Sequence, residues 1–309
     1  MVRLKVSKYS LVKKYIPFLF CGIIGVMDSF LFAVPIFIFG TIMGSFLNVV
    51  IYRYNSGTSF LSGRSQCFTC GENLSWYELI PLFSFLAQAG KCRTCKSKIS
   101  FQYPLVEMFT GFIFVAVFFL GKPMIETIFL LVIFSTLLVI GVYDMRHQII
   151  PDGPAIVFAL TSIFLFLHLV PGGFREAFSA PYYWTLLAGP ILFFPFWFLW
   201  YISKGRWIGF GDGKIAFGIG WFLGLAQGGS AIMLAFWIGA LYAVTIMAVQ
   251  KIMAISVFSK VGTHRVLLKH TLSLQSEIPF GPFLILGLVI IYVTGINFFD
   301  GSFNLLNFL

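Results

Sequence analysis

Two pairs of cysteines and two separated aspartates are the residues of this sequence best suited to chemistry. The cysteines form two CxxC pairs separated by 21 residues: Cys67, Cys70, Cys92 and Cys95. This spacing is typical of a zinc site, in which four thiolates surround the ion tetrahedrally. Two disulfides or four unrelated thiols are the alternatives, but a reducing cytoplasm disfavours the first and the paired spacing disfavours the second. We predict a structural site, because four protein ligands leave no position for substrate or water.

The two aspartates are predicted to lie at the same face of a membrane. Asp144 ends the third predicted helix, and Asp212 precedes the sixth. A carboxylate at bilayer depth costs about 3 kcal/mol on insertion scales, so such acids are functional candidates. Either acid alone could equally be solvated by lipid headgroup water or paired with a neighbouring basic residue. Asp152, which lies just ahead of Pro154, is expected to cap the fourth helix.

Considered together, the aspartates suggest a more specific chemistry. Two carboxyl groups in one site cannot both ionise cheaply, so the pair is expected to hold a single proton at neutral pH. The ionised acid can then take a proton from water while the protonated acid polarises a scissile carbonyl, as in aspartic proteases. Gly209, Gly211 and Gly213 flank Asp212 and would let a substrate strand approach closely. The sequence contains no HExxH, GxSxG or GxxxxGK[ST] motif that would support other chemistries.

The composition requires that these residues be positioned by membrane helices. Of 309 residues, 59% are hydrophobic and 39 are phenylalanine, and the mean hydropathy is +0.94. A soluble domain has about half apolar residues and about a quarter charged ones, against 10% charged here. The apolar runs are continuous and lack the alternation of a β-barrel. The fold class is therefore an all-α polytopic membrane protein.

Apolar runs of about 20 residues predict about eight transmembrane helices. They are placed at residues 30–52, 104–121, 124–143, 154–170, 184–202, 215–226, 231–250 and 280–299. The sixth is short and rich in glycine, so Gly218, Gly220 and Gly224 are expected to allow close backbone approach. The predicted organisation has four parts. They are a basic tail and apolar lead-in at 1–29, a first helix at 30–52, a cytoplasmic tetra-cysteine domain at 53–103 and a transmembrane core at 104–309.

The net charge of +10 is explained by topology, so we predict no nucleic-acid partner. If the first helix ends in the cytoplasm, fourteen Lys and Arg residues lie on the cytoplasmic side and two on the opposite side. This asymmetry agrees with the positive-inside rule. Five further basic residues lie in the N-terminal tail, whose orientation stays open. Both the cysteine pairs and the two aspartates then fall on the cytoplasmic side.

From about residue 40 onward the sequence resembles the bacterial type IV prepilin peptidases. The motifs that carry the resemblance, besides the cysteine and aspartate segments, are GSFLNVVIYR at 44–53, WYELIP at 76–81, YPLVE at 103–107 and IPFGP at 278–282. The resemblance implies an enzyme of the bacterial inner membrane that removes the basic leader of type IV prepilins or pseudopilins. The catalytic pair would match Asp144 and Asp212.

The resemblance also implies methylation of the new N-terminus with S-adenosylmethionine, since methyl transfer is associated with members that carry the four-cysteine loop. No glycine-rich fingerprint marks a site for that cofactor. The candidate substrate-binding residues flank Asp212 or offer an acid to a basic leader: Gly209, Gly211, Gly213, Lys214 and Glu107. No oligomeric state is predicted.

Two alternatives were weighed against this interpretation. A presenilin-like protease shares the pattern around Asp144 and Asp212, but the tetra-cysteine loop and the absence of a Pro-Ala-Leu segment near the end argue against it. A transporter or channel would use Asp144, Asp212 and Glu107 as proton or ion sites. An eight-helix carrier should show repeated halves, and the sequence shows none.

Overall fold

The computed structural model describes residues 8–180, 182–260 and 279–299, with side chains described within 31–180, 182–250 and 279–299. The whole predicted basic tail and apolar lead-in at 1–29 therefore lies outside the described side chains. The α-helices are α1 (Lys8–Arg53), α2 (Phe83–Ala87), α3 (Gln102–Phe119), α4 (Met124–His147), α5 (Asp152–Leu169), α6 (Tyr183–Ser203), α7 (Phe210–Lys260) and α8 (Gly281–Thr294). Two 3₁₀ turns occupy Trp76–Leu79 and Gly173–Phe178.

Six helical stretches in the described part of the chain are long and apolar enough to cross a membrane. They are Leu31–Arg53, Gln102–Phe119, Met124–His147, Asp152–Leu169, Tyr183–Ser203 and Phe210–Gln250. Helix α8 is apolar but has only 14 residues. The prediction of an all-helical protein is confirmed for the described residues, and these six stretches are candidate membrane helices.

Helix α7 consists of two arms that meet at Gly224. This residue has φ 78° and ψ −178°, which are not helical angles, and a positive φ of this size favours glycine. A Cβ on Gly228 would lie 3.5 Å from the carbonyl oxygen of Ile219, although nine residues of continuous helix would separate them by about 13 Å. The chain therefore reverses direction at Gly224. The two arms correspond to the helices predicted at 215–226 and 231–250.

Close backbone contact joins the first arm of α7 to α6. A Cβ on Gly220 would lie 2.5 Å from the carbonyl carbon and oxygen of Ala188. Nearby, the Trp221 indole N–H donates a hydrogen bond to the Leu186 carbonyl at 2.9 Å. Small residues that let helix backbones approach are a common basis of packing in membranes, where the hydrophobic effect contributes little between helices.

By its contacts the chain divides into two compact units. One comprises Met1–Val49 and Leu61–Gly121, and the other Val50–Phe60 and Lys122–Leu309. In the larger unit, α7 packs against α5, α6 and α8. Its fully buried side chains include Phe158 of α5, Ile215 and Ile219 of α7, and Leu284 and Leu288 of α8.

In the smaller unit, α1 and α3 run antiparallel in close contact. A Cβ on Gly40 would lie 2.8 Å from the Cα of Gly111, and one on Gly44 would lie 2.7 Å from the Cα of Glu107. The Asn48 amide donates a hydrogen bond to the Tyr103 carbonyl at 3.1 Å. Successive contacts are four residues apart on both helices, at 40, 44 and 48 in α1 and at 111, 107 and 103 in α3. The two helices therefore keep one packing register over this length.

We predict that Gly220→Ala destabilises the protein by about 1–3 kcal/mol, because the added methyl group meets backbone atoms that cannot move aside. Thermal unfolding of the detergent-solubilised protein measures the change. Gly239→Ala is the matched control, since its Cβ would meet nothing closer than 3.6 Å. Equal unfolding temperatures for the two variants would contradict the assigned α6–α7 packing.

Candidate functional site

Asp144 lies in the last turn of α4 and is buried, with 3% of its surface exposed. Its Oδ2 accepts a hydrogen bond from the Gly281 backbone N–H at 3.1 Å. Gly281 begins α8, where the first N–H groups have no partner within the helix and the helix dipole favours negative charge. A Cβ at residue 281 would lie 2.6 Å from the same carboxylate oxygen. Glycine is thus required for this contact, which the sequence did not reveal.

Asp212 lies in the first turn of α7 and is also buried, with 7% exposed. Its backbone N–H donates a hydrogen bond to the Gly209 carbonyl at 3.3 Å. The Asp212 and Asp144 carboxyl groups, 68 positions apart in the chain, belong to the same unit and lie within range of each other's charge.

The three glycines around Asp212 have different surroundings. A Cβ on Gly209 would have the Asp212 Oδ2 as its nearest neighbour, at 3.4 Å, so the space beside this carboxylate is open. A Cβ on Gly211 would lie 2.8 Å from Ile150, and one on Gly213 would lie 3.1 Å from Phe193. In this structure Gly211 and Gly213 thus allow tight packing of the start of α7, while Gly209 faces the acid.

Lys214 and Asp152 form an ion pair between α7 and α5. The Lys214 ammonium also lies over the Phe210 ring, 5.0 Å from its centroid. Asp152 is the first residue of α5, and Pro151 holds the cap position without a side-chain hydrogen bond. The carboxylate expected to cap this helix instead reaches Lys214, two residues after Asp212.

Aromatic residues that end and follow α1 contact the segment around Asp144. The Tyr54 hydroxyl accepts a hydrogen bond from the Gly153 N–H at 2.7 Å, and its ring meets the Tyr143 ring edge-on at 5.7 Å. The Arg146 guanidinium lies over the Tyr52 ring at 4.2 Å. Sequence reasoning missed these contacts. Tyrosines at a helix end are typical of a membrane interface and do not indicate a particular partner.

Glu107 belongs to the other compact unit and is 8% exposed. Its Oε2 accepts a hydrogen bond from the Leu82 backbone N–H at 2.8 Å, and the Ser45 hydroxyl also hydrogen-bonds to the carboxylate. The acid predicted to contact a basic leader therefore has partners in α1 and in the loop between the cysteine pairs.

The four predicted metal ligands form one cluster. The Sγ atoms of Cys67, Cys70, Cys92 and Cys95 all lie within 4.8 Å of one another. The Cys67 and Cys95 Sγ atoms are 3.8 Å apart, which is the edge of a tetrahedron with metal–sulfur bonds of about 2.3 Å and is far longer than a disulfide. All four cysteines are free thiols. The cluster could hold a metal.

We call the two CxxC turns, Cys67–Cys70 and Cys92–Cys95, the knuckles. Hydrogen bonds favour the thiolate form that a metal requires at Cys67 and Cys95. At Cys70 the Glu72 backbone hydrogen bond acts in the same direction, but burial and hydrogen bonds with Cys67 and Cys95 outweigh it and raise the pKa to about 11. The backbone N–H groups of Cys70 and Thr69 lower the pKa of Cys67 from 9.0 to about 6. Ser97 lowers the pKa of Cys95 through two hydrogen bonds, of which the one from its side chain contributes more than the one from its backbone N–H. A group stabilised as its anion binds metal with less competition from protons.

Comparisons with known proteins agree with both halves of this description. Residues 38–120 match the bacterial peptidase A24 N-terminal domain, and residues 131–244 match the type IV leader peptidase family. The first range contains the four cysteines, and the second contains Asp144 and Asp212. No solved structure matches this one.

Three similar proteins carry the name prepilin leader peptidase/N-methyltransferase. The protein of Myxococcus xanthus is 42% identical over 147 residues, which is 48% of this chain and 44% of that protein. The Klebsiella pneumoniae protein is 31% identical over 202 residues, or 63% of this chain and 86% of the relative. The Bacillus subtilis protein is 28% identical over 260 residues, which is 84% of this chain and 93% of that protein.

We predict that the purified protein contains about one equivalent of a thiophilic divalent metal. Cys92→Ser should lose this metal, because the tetrahedral coordination is complete only when all four sulfurs bind the ion. Elemental analysis by mass spectrometry measures the content. The fifth cysteine, Cys21, lies outside the two pairs, so Cys21→Ser serves as the control and should keep the metal. Metal retained at the same level in both variants would exclude the tetra-cysteine site.

Proposed function

This chain belongs to the type IV leader peptidase family, and from that premise we propose that Asp144 and Asp212 are the carboxyl pair with which it cleaves prepilins. The observation that carries the proposal is that these two acids, one at the end of α4 and one at the start of α7, are both buried and lie within range of each other's charge. Both residues lie within the range that matches the family. The substrates would be type IV prepilins or pseudopilins, each cut behind its basic leader.

The arrangement supports acid–base hydrolysis of a peptide bond. One carboxyl group is ionised and takes a proton from a water molecule as its oxygen attacks the scissile carbonyl carbon. The other is protonated and donates a hydrogen bond to the carbonyl oxygen as negative charge develops there. The C–N bond then breaks as the carboxyl group that took the proton from water passes it to the leaving amine, and this carboxyl group is ionised again. The Gly281 N–H on Asp144 would orient that carboxyl group throughout.

Five residues were predicted to bind substrate, and their surroundings differ. Gly209 faces the open side of Asp212 and is the best placed to admit a substrate strand. Gly211 and Gly213 contribute by packing α7 closely, and Lys214 by its ion pair with Asp152. For Glu107 a substrate contact would have to share the carboxylate with the Leu82 N–H.

We infer that the metal of the tetra-cysteine cluster is zinc with a structural role. Zinc accepts four thiolates tetrahedrally without a preference for the loop that supplies them, and the 3.8 Å between the Cys67 and Cys95 sulfurs suits its bond length. The ion would hold the two knuckles together. It takes no part in the hydrolysis derived above.

Methylation of the new N-terminus is proposed from the relatives' names, and S-adenosylmethionine would supply the methyl group. The sequence has no glycine-rich fingerprint for this cofactor, and we assign no residue to its site.

We further propose eight spans in the bacterial inner membrane. The count takes the arms of α7 as two spans and includes α8. The distribution of fourteen against two basic residues would place the ends of α4 and α6 and the start of α7 at the cytoplasmic face.

We predict that Asp144→Asn and Asp212→Asn each lower prepilin cleavage by at least about 10²-fold, because an amide can neither take nor share the proton. Purified variants in detergent are incubated with a prepilin, and the mobility shift of the product is followed. Glu176→Gln, in the 3₁₀ turn after α5, is the control and should cleave normally. Normal cleavage by both aspartate variants would disprove the catalytic pair.

We predict that Gly281→Ala lowers kcat by about tenfold or more while substrate binding changes little, because the added Cβ displaces the Asp144 carboxyl group. Steady-state cleavage kinetics separate kcat from KM. Gly141→Ala, one turn before Asp144, is the matched control, since its methyl group would meet only the mobile end of Ile285. Equal kcat values for the two variants would show that the Gly281 contact does not matter for catalysis.

A further inference from the structure

The loop between the cysteine pairs is unusually apolar for a segment that follows a cytoplasmic metal knuckle. We call residues 75–88 the linking segment; it contains the 3₁₀ turn Trp76–Leu79 and helix α2. Its side chains at Trp76, Phe83 and Leu86 are 77%, 65% and 75% exposed. Such a run of exposed apolar side chains marks an interaction surface.

The contacts of the linking segment locate it along α1 and α3. Leu82 is hydrogen-bonded to Glu107, and Glu107 lies beside Gly44 of α1. Gly44 is nine residues before Arg53, where α1 ends, which corresponds to about 13 Å along the helix axis. The residues of α1 from Leu31 to Arg53 form a candidate membrane span. Leu82 therefore lies beside the candidate membrane span of α1 and not beyond the C-terminal end of that span.

An apolar groove of about 700 Å³ separates the linking segment from α1. One wall includes Ile38 and Ile42 of α1, which are farther from Arg53 than Gly44 is. The opposite wall includes Trp76, Leu79 and Phe83. Among the described residues, none of those that line the groove carries a charge. The groove thus extends along α1 from Gly44 away from Arg53.

Several backbone N–H groups of the linking segment have partners within the protein, which a position inside a bilayer favours. Leu82 has φ 58°, and its N–H, at the bend between the two turns, donates to the Glu107 carboxylate at 2.8 Å. The Ser75 N–H donates to the Glu78 Oε2 at 2.9 Å. The Ser84 N–H donates to the Ile80 carbonyl at 3.0 Å. Glu107 thereby satisfies a backbone group at a depth where water is scarce.

The polar side of the segment is consistent with this depth. The Tyr77 hydroxyl accepts a hydrogen bond from the Arg93 guanidinium at 2.5 Å, and Arg93 also lies over the Tyr77 ring. Tyrosine and arginine are residues that settle at the headgroup level, with the apolar part facing the acyl chains. This contact joins the second knuckle, which contains Arg93, to the linking segment.

We propose that the linking segment is inserted into the cytoplasmic leaflet and that a phospholipid acyl chain occupies the groove between it and α1. The tetra-cysteine region is then anchored to the bilayer at its middle as well as at its two ends. An acyl chain fits the observations because the walls are apolar and uncharged and open toward the lipid-facing side chains of the segment. A prepilin helix is the competing occupant, and the experiment distinguishes the two.

The test places the photo-crosslinking residue p-benzoyl-phenylalanine at Phe83 in the full-length protein, reconstituted in nanodiscs of phosphatidylethanolamine and phosphatidylglycerol. We expect a phospholipid adduct, detected by mass, whose yield does not fall when a prepilin is added. The matched control carries the same residue at Phe68, which lies in the first knuckle and is 78% exposed. Its lipid adduct should be severalfold weaker. Both variants must keep the metal content of the parent protein.

Three outcomes would overturn the proposal: equal lipid adducts at both positions, no lipid adduct at Phe83, or replacement of the lipid adduct by a prepilin adduct. A second measurement does not depend on the crosslinker. The fluorescence of Trp76 is obtained as the difference between the tryptophan emission of the parent protein and that of Trp76→Phe. It should be quenched by lipids brominated on their acyl chains and should resist quenching by aqueous acrylamide. Quenching by acrylamide alone would place Trp76 in water and refute the insertion.

Discussion

The structure depends on one constraint, which is that a polar group within an apolar helical bundle must find its partner inside the protein. Asp144 at the end of α4 meets the first N–H of α8, and Glu107 in α3 meets the backbone of Leu82. Asn48 of α1 donates to the Tyr103 carbonyl at the start of α3. Each pair joins elements that are distant in sequence. The polar residues therefore determine which helix ends meet, while apolar packing fills the space between them.

Close backbone approach is the second requirement, and glycine meets it at particular places. At Gly220 the backbone of α6 occupies the position of a side chain, and at Gly224 a positive φ turns the chain back on itself. At Gly281 the absence of a Cβ allows Asp144 to reach the helix N-terminus. The same residue type thus packs helices, reverses the chain and admits a carboxyl group. Its function at each position follows from the neighbour that it meets.

In the proposed function the two compact units have separate tasks. The larger unit contains both aspartates and contacts between the neighbouring segments, including the Lys214–Asp152 ion pair and the Tyr54–Gly153 hydrogen bond. The smaller unit contains the cysteine cluster and the linking segment, which α1 and α3 support. A closed tetra-cysteine site stabilises a loop and offers no position for catalysis. Hydrolysis is accordingly assigned to the carboxyl pair and loop structure to the metal.

Much of this could be predicted from the sequence, because hydropathy, helical length and cysteine spacing are local properties. Long apolar runs determined the membrane helices, and the CxxC spacing indicated the cluster that the four sulfurs form. The sequence also singled out Asp144 and Asp212, since an acid at the end of an apolar run is conspicuous. Only the tertiary structure decided that Asp144 lies against Gly281 and that Asp152 pairs with Lys214. The same is true of the hydrogen bond that Glu107 accepts from Leu82. Such contacts join residues up to 137 positions apart, and no local pattern records which backbone N–H will lie opposite a given carboxylate.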